Sequence, residues 1–382
     1  MRILYGVVGE GMGHAIRSRV VLDELVQRHD VQVVVSGRAH DYLAKRAGGA
    51  ASAGDGPQPK AEAHGGHLQV KKIWGFTIVT EDNEVRNFRT LLENVKGALT
   101  GGWPQNIKTY FEIADSFRPD AVISDFESWS YLYGVNHGIP VISVDNMQIV
   151  NRCRHEKELI AGHEASFQIA KGIIKAKVPG AYHYLITTFF RPPIRKKRTS
   201  LHPPVLRPEI LAARSELGSH LLVYQTYTTH QELPELLKRT GIECRVYGIR
   251  RDLREDERDG NLLYRPFSET RFIEDLRTAR AVVASAGFTL MGEAVYLHKP
   301  MLAEPVAKQF EQILNARYLE KEGYGLCAEE ITDARLSEFL DRLPEFERNL
   351  SRYSQDGNED LLVKLEAVLD SAARGIPPEA EA

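Results

Sequence analysis

Two side chains in this sequence have the types and settings needed for proton transfer. His14 closes the string Gly9-Glu10-Gly11-Met12-Gly13-His14, which follows an apolar run and opens a helix-like pattern. Asp125 directly ends the run Asp120-Ala121-Val122-Ile123-Ser124. A neutral imidazole can take a proton from a hydroxyl, and a neighbouring carboxylate can orient the ring and stabilise its protonated form. Asp125 also suits the N-cap of a helix over 126–136, a role compatible with the first. Glu127 is the alternative partner for His14. Gly9, Gly11 and Gly13 would let an anion reach backbone N–H groups at the start of the helix.

A second group lies in the other half. Ser285, Ala286, Gly287 and Phe288 follow a strand and open a helix, an arrangement that can cradle phosphate. Glu293, about two turns further on, could accept both hydroxyls of a ribose. Glu311 and Gln312 start another helix, where an acceptor carboxylate and a mixed amide could grip several sugar hydroxyls.

These residues need elements to hold them. Residues 3–8, 13–28 and 31–35 read as strand, helix and strand from their β-branched runs and helical apolar spacing. Short apolar runs recur at 120–124, 141–144, 221–225, 244–248 and 281–284, with helix patterns between. Such alternation predicts parallel, doubly wound sheets. Residues 47–66 read as a loop or insertion. Residues 191–209 hold five prolines among basic residues and read as an interdomain linker. Residues 252–259 read as a solvated charged loop, the chain from 331 as helical and charged, and about the last eight residues as frayed.

The chain has 382 residues, 49 basic and 52 acidic, for a formal charge of −3. That size predicts two domains. The balance argues against a general nucleic-acid binder, which needs a basic excess. The three cysteines, Cys153, Cys244 and Cys327, form no C-x-x-C, so neither a disulfide framework nor a zinc knuckle is expected. No apolar run reaches the roughly 18 residues of a membrane span, and the first strand meets glycine too soon for a signal peptide. A cytoplasmic protein is expected. The first glycine loop fits the dinucleotide fingerprint badly. His14 stands where the third glycine should be, and Ser36-Gly37-Arg38, with no acid, follows the second strand. Arg38 could meet a 2′-phosphate, which leaves an NADP enzyme as a minor alternative.

The ordered string Gly287, Glu293-Ala294, Lys299-Pro300, Pro305, Glu311-Gln312 and Asn315-Ala316 resembles the donor-sugar motif of GT-B glycosyltransferases, especially the MurG-like and the antibiotic and plant groups. The Gly-x-Gly-x-Gly-His loop and the later strand-end Asp before a helix ending Gly138-Ile139-Pro140 look like that superfamily's other half. Asp125-Phe126-Glu127 and Val144-Asp145-Asn146 are similar to signatures of an uncharacterised bacterial and archaeal branch. The resemblance covers most of the chain. It implies an α/β fold of two Rossmann-like doubly wound domains facing across a cleft. The expected division is an acceptor domain at 1–190, a linker at 191–215, a nucleotide-sugar domain at 216–350, and a C-terminal helix and tail at 351–382.

The implied activity is inverting, metal-independent transfer of a sugar from a nucleotide-diphosphate donor to an acceptor hydroxyl. His14 would be the base and Asp125 its orienter. Ser285, Ala286, Gly287 and Phe288 would meet the phosphates, Glu293 the ribose, and Glu311 and Gln312 the sugar. No cofactor and no metal are expected, since no Asp-x-Asp occurs in the chain. Two departures stand out: Ser285-Ala286-Gly287 replaces the usual His-Gly-Gly, and Glu-Gln replaces Asp-Gln. Asp145, Asn146 and Gln148 are candidate acceptor contacts, with helix capping as the other reading. The acceptor would be a small molecule or lipid-linked. Residues 70–79, an apolar helix pattern at Phe88, Leu91, Leu92, Val95 and Leu99, and Trp103, with Lys71 and Lys72, would offer a peripheral membrane contact at the inner face; ordinary core packing is the other reading. Rival functions are a nucleotide-sugar 2-epimerase and a non-catalytic sugar-nucleotide-binding protein.

Overall fold

The computed structural model describes residues 1–9, 11–47, 66–75, 80–81, 84–85, 102–225, 232–307 and 309–379. The expected loop at 48–65 and the apolar pattern at 88–99 lie outside them, as do Glu10 and residues 76–79.

In chain order the first half holds β1 (Arg2–Val7), β2 (Asp30–Val35), β3 (Leu68–Lys72), the short antiparallel pair β4 (Thr80–Glu81) and β5 (Glu84–Val85), then β6 (Ala121–Asp125), β7 (Val141–Asp145), β8 (His183–Thr187) and β9 (Thr199–His202). Seven of these form one parallel sheet in the order β3-β2-β1-β6-β7-β8-β9. The second half supplies β10 (Leu221–Tyr224), β11 (Cys244–Tyr247), β12 (Glu257–Asp259), β13 (Leu262–Tyr264), β14 (Ala281–Ser285), β15 (Met301–Glu304) and β16 (Gly325–Cys327). They form a second sheet, β12-β13-β11-β10-β14-β15-β16, parallel except for β12. In both sheets the order reverses beside the first strand. Ligands bind at the carboxyl ends of strands at such switch points, so β1 with β6 and β10 with β14 mark the two places to look. The expected doubly wound α/β pair is present.

The helices that bear on the site are α1 (Met12–Leu25), α2 (Gly37–Ala47), α3 (Trp103–Glu112), α4 (Ser128–Asn136), α5 (Glu164–Lys177), α6 (Phe288–Tyr296), α7 (Phe310–Lys321) and α8 (Glu359–Ala373). An aromatic seam joins the halves. Phe189 stacks on Phe288, Phe190 lies 3.8 Å from Tyr318 ring to ring, and Phe167 packs on Phe310.

Two segments differ from the sequence expectation. The stretch read as linker, 191–215, contributes β9 at the sheet edge. Its prolines flank that strand, at 192, 193, 203 and 204, where no ladder N–H is required. The last helix, α8, belongs with the first sheet. Leu361, Leu365, Val368 and Leu369 share one core with Ile3, Tyr5, Val21 and Leu185. Their i, i+4, i+7, i+8 spacing gives the helix one apolar face. The charged run 252–259 ends in β12, an exposed edge strand.

The chain crosses between the halves twice, and the crossings are tied together. Asn358 accepts from the Leu206 N–H at 2.9 Å and donates to its carbonyl at 2.8 Å, while Gln355 donates to Pro204 O at 3.1 Å. Beside them, Arg207 is buried and donates to both oxygens of buried Glu293, each at 2.8 Å, and to Glu269 at 2.8 Å. Arg19 of α1 reaches Glu209 at 3.0 Å.

Two predictions follow from this packing. Removing one member of a buried ion pair strands the other, at a cost of roughly 3–5 kcal/mol. Glu293→Ala should therefore lower stability by about that amount in urea unfolding; unchanged stability would mean that the pair does not hold the fold. Burial also depresses His155, His202 and His220, and takes His183 down to about 4. Between the unfolded value of about 6.5 and these lower folded values, the unfolded chain binds more protons. Stability should fall as pH drops from about 6.5 towards 4. Thermal melting at constant ionic strength reads this directly, and a flat profile would contradict it.

Candidate active site

The first glycine loop leaves the end of β1, whose last residue, Val7, pairs with Asp125 at the end of β6. The Val8 N–H donates to the Asp125 carbonyl at 3.2 Å. Gly11 caps α1 in a left-handed conformation, φ 80°, which glycine adopts without steric penalty. His14 is thereby the third residue of α1, beside the strand end.

His14 Nδ1 lies 2.8 Å from Asp125 Oδ1. The expected pair is assembled. Asp125 has no exposed surface, and Ser18 Oγ donates to its Oδ2 at 2.8 Å. Arg17, also buried, donates to Oδ1. Burial opposes ionisation of Asp125, but Arg17 and His14 outweigh it and hold the carboxyl below its ordinary range. Residues 14, 17 and 18 share one helix face by the i, i+3, i+4 rule. Sequence reasoning named neither Arg17 nor Ser18; that spacing from His14 was the available signal.

Glu127, not Asp125, is the N-cap of α4, accepting from the N–H groups of Trp129 at 2.8 Å and Ser130 at 2.6 Å. Asp125 is free for the site because Phe126 takes a left-handed turn, φ 54°, rare for a bulky residue.

Of the candidate acceptor contacts, Asp145 is buried, accepting from Ser143 Oγ at 2.7 Å and the Gln148 N–H at 2.8 Å. Gln148 turns inward, to Ile174 O at 3.3 Å. Asp145 therefore braces the turn after β7, and Gln148 ties that turn to α5. Asn146 faces the cleft. It accepts from Arg17 at 3.1 Å and donates to Glu311 Oε1, across the domain boundary, at 2.7 Å. Asn315 donates to the same oxygen at 2.6 Å. Burial pushes the Glu311 carboxyl up, against these two bonds. Glu311 is thus brought to the His14 group. Gln312 instead accepts from the Val306 N–H at 3.0 Å and donates to Gln309 at 2.7 Å, closing the loop before α7.

The second glycine loop leaves β14, with Ser285 paired to Glu304. Gly287 is the N-cap of α6, with no side chain capping it. A methyl group added at Gly287 would meet nothing within 4 Å. Phe288 is buried, on Phe189, and Ala286 is buried beside it. Across the cleft stands the start of α1, so close that a Cβ on Gly13 would lie 2.7 Å from Thr289 Oγ1. Two helix N-termini, neither side-chain-capped nor acidic in its first turn, therefore face one cleft. Their unpaired N–H groups and dipoles favour an anion there.

The expected ribose ligand, Glu293, is 2% exposed and both its oxygens accept from Arg207, so a ribose would have to displace that guanidinium. Arg38 is exposed at the start of α2. Among the described residues, no three His, Cys, Asp or Glu side chains are grouped to hold a metal ion.

A family model described as glycosyl transferase family 1 matches residues 1–344. The chain is 39% identical over 102 residues to the UDP-N-acetylglucosamine--N-acetylmuramyl-(pentapeptide) pyrophosphoryl-undecaprenol N-acetylglucosamine transferase of Geobacillus thermodenitrificans (strain NG80-2), covering 24% of this chain and 28% of that protein. It is 30% identical over 152 residues to the Clostridium tetani (strain Massachusetts / E88) protein of the same name, 38% of this chain and 40% of the relative. The matched stretches thus span well under half of these relatives. Among solved structures, the glycotransferase of kitacinnamycin aligns at 17% identity and TM-score 0.65, covering 96% of this chain and 99% of that one. Os79 from O. sativa, in complex with UDP, aligns at 12% identity and TM-score 0.65, covering 98% and 100%. Phytolacca americana UGT2, complexed with UDP-2fluoro-glucose and pterostilbene, aligns at 13% identity and TM-score 0.62, covering 97% and 98%. With the two facing sheets and the glycine loops at their switch points, these matches establish that the chain belongs to glycosyl transferase family 1 and is a glycosyltransferase of the GT-B fold.

Proposed function

We propose that this enzyme transfers a hexose-type sugar from a uridine-diphosphate donor to an acceptor hydroxyl with inversion at the anomeric carbon and without a metal ion. The observation that carries the reading is the His14–Asp125 pair, 2.8 Å apart, facing the uncapped start of α6 across the cleft. His14 Nε2 takes the acceptor hydroxyl's proton while Asp125 steadies the ring through Nδ1. The acceptor oxygen attacks the anomeric carbon from the face opposite the diphosphate. The Ser285–Phe288 turn and the α6 N-terminus meet the charge that develops on the leaving group. Absence of Asp-x-Asp from the sequence supports the metal-free reading, and UDP in the names of the related proteins supports the donor.

For the acceptor, the favoured reading is an apolar or lipid-linked hydroxyl compound presented at a membrane surface. Trp103, Ile107 and Phe111 lie at i, i+4, i+8 on α3 and are 65%, 55% and 61% exposed, with Lys108 among them. With Tyr110 and Trp129 they line an open apolar hollow. Such a face suits interfacial binding. The undecaprenol in the names of the curated relatives fits it. Among the described residues no helix is long and apolar enough to cross a membrane. The proposed location is the cytoplasmic side of that surface.

The first test is release of UDP from UDP-N-acetylglucosamine or UDP-glucose, with and without chelator, and NMR of the product's anomeric configuration. Retention of configuration or loss of activity in chelator would remove that part of the reading. His14→Ala should lower turnover by roughly 10²-fold or more, the scale for a general base; activity within a few-fold of wild type would exclude the role. Glu311→Ala should weaken the intact UDP-sugar while leaving UDP affinity nearly unchanged, read by calorimetric titration of both. Equal weakening would assign Glu311 to the nucleotide or to the fold.

A further inference from the structure

Arg17 takes no part in the chemistry above, yet its guanidinium sits inside the base assembly. It is 3% exposed. One terminal nitrogen, Nη2, donates to Asp125 Oδ1 and lies 2.9 Å from His14 Nδ1. The other, Nη1, donates to Asn146 Oδ1 at 3.1 Å. Its Nε is buried without an acceptor, so Asp125 and Asn146 fix its position.

His14 Nδ1 is therefore within hydrogen-bonding reach of an obligate acceptor, Asp125, and an obligate donor, Arg17. A guanidinium stays protonated and can only donate. Two tautomers compete. With the proton on Nδ1, His14 donates to Asp125 and Nε2 keeps a lone pair. With Nδ1 accepting from Arg17, the proton is on Nε2, and that atom cannot serve as a base. The choice depends on whether Nη2 is aimed at the carboxylate or at the ring.

We propose that Arg17 is a positioning residue that holds the Asp125 carboxylate in place for His14 Nδ1–H, so that Asp125 sets the base-ready tautomer, and that Asn146, held by Glu311 of the opposite domain, keeps the guanidinium aimed at the carboxylate and off the ring. This inference rests on the reading of His14 as the base. Asn146 offers its carbonyl to Arg17 because its amide NH2 is engaged by Glu311 at 2.7 Å. Closure of the cleft thus fixes Asn146, Asn146 draws Nη1 away from the ring, and Nη2 falls on Asp125. The sugar-side residue and the base are joined by this chain of contacts, so the base is set only when the domains are together.

Arg17 also shares the charge of Asp125. Among the described residues, the ionisable groups around the His14–Asp125 pair are Arg17 on the same helix, Glu311 on α7, and, behind Asp125, Tyr5 on β1 and Asp145 at the end of β7. Burial pushes Asp145 and Glu311 up, whereas Asp125 is held ionised. Without Arg17 the whole Asp125 charge falls to His14 and favours its protonated form.

The test is the acid limb of the kcat/KM profile for UDP release, with whichever of UDP-glucose or UDP-N-acetylglucosamine the wild type consumes. Arg17→Met should move the limb to higher pH by roughly one unit, the scale for removing an opposite charge beside a carboxylate. Arg17→Lys keeps a cation and should restore most of that shift while leaving kcat low, because a single ammonium cannot hold Asp125 and Asn146 together. Asn146→Ala should move the limb the same way by less. Loss of activity at all pH values with an unmoved limb would reduce Arg17 to a structural role and overturn the proposal. Should Arg17→Met fail to fold, 15N NMR of histidine-labelled wild type with UDP bound, assigned with His14→Gln, reads the tautomer. An Nδ1–H tautomer supports the proposal and an Nε2–H tautomer overturns it. A wild type that consumes neither donor at any pH would instead refute the proposed function, and the NMR measurement would still decide the tautomer.

Discussion

A carboxylate with no exposed surface sits at the end of a central strand, and its charge must be met from within the protein. Leaving an ionised Asp125 unpaired in that position would cost several kcal/mol. Arg17, His14 and Ser18 meet it from one face of α1. That requirement sets the rotation of the helix about its axis and the approach of its first turn. It also directs the helix start towards Thr289, where glycine alone leaves room at position 13. The charge of one side chain thus orients the element that forms one wall of the cleft.

The opposite wall follows a different logic. The start of α6 carries neither a capping side chain nor an acid, and neither does the start of α1. Helix ends without caps leave N–H groups seeking an acceptor. Two such ends facing each other are favourable only with an anion or water between them. The aromatic seam of Phe189, Phe190 and Phe167 against Phe288, Tyr318 and Phe310 brings the walls together independently of that anion. Apolar packing sets the separation and polar backbone sets what can enter.

Much of this was legible before the fold was known. The strand–glycine–helix units follow from local periodicity, so β1, α1, β6 and β14 lie within a residue or a few of their expected positions. His14 and Asp125 were legible because both stand at strand-to-helix turns. Arg17 was not: an arginine three residues after His14 in a helical pattern reads as solvent-facing, and only the buried partner 108 positions away reverses that. Arg207 was hidden in the same way, in a stretch whose prolines and basic residues describe an exposed linker. The partnership of Glu293 with Arg207 is a contact 86 residues long, and motif spacing carries no information about it. Likewise the chain from 331 read as helical and charged, which gave no sign that α8 packs on the first sheet.

That last contact changes what kind of molecule this is. Because α8 closes the core around Ile3, Tyr5 and Leu185, and because Asn358 clasps Leu206, the first domain is made from two stretches of chain, one on each side of the second domain. The second domain is, topologically, an insertion into the first. During synthesis the first sheet is made before α8, the helix that covers it, whereas the inserted domain has its strands complete by the time α8 is made. Of the two sheets, the one made earlier is covered later, and the half that holds His14 and Asp125 is sealed only after the half facing it has been made.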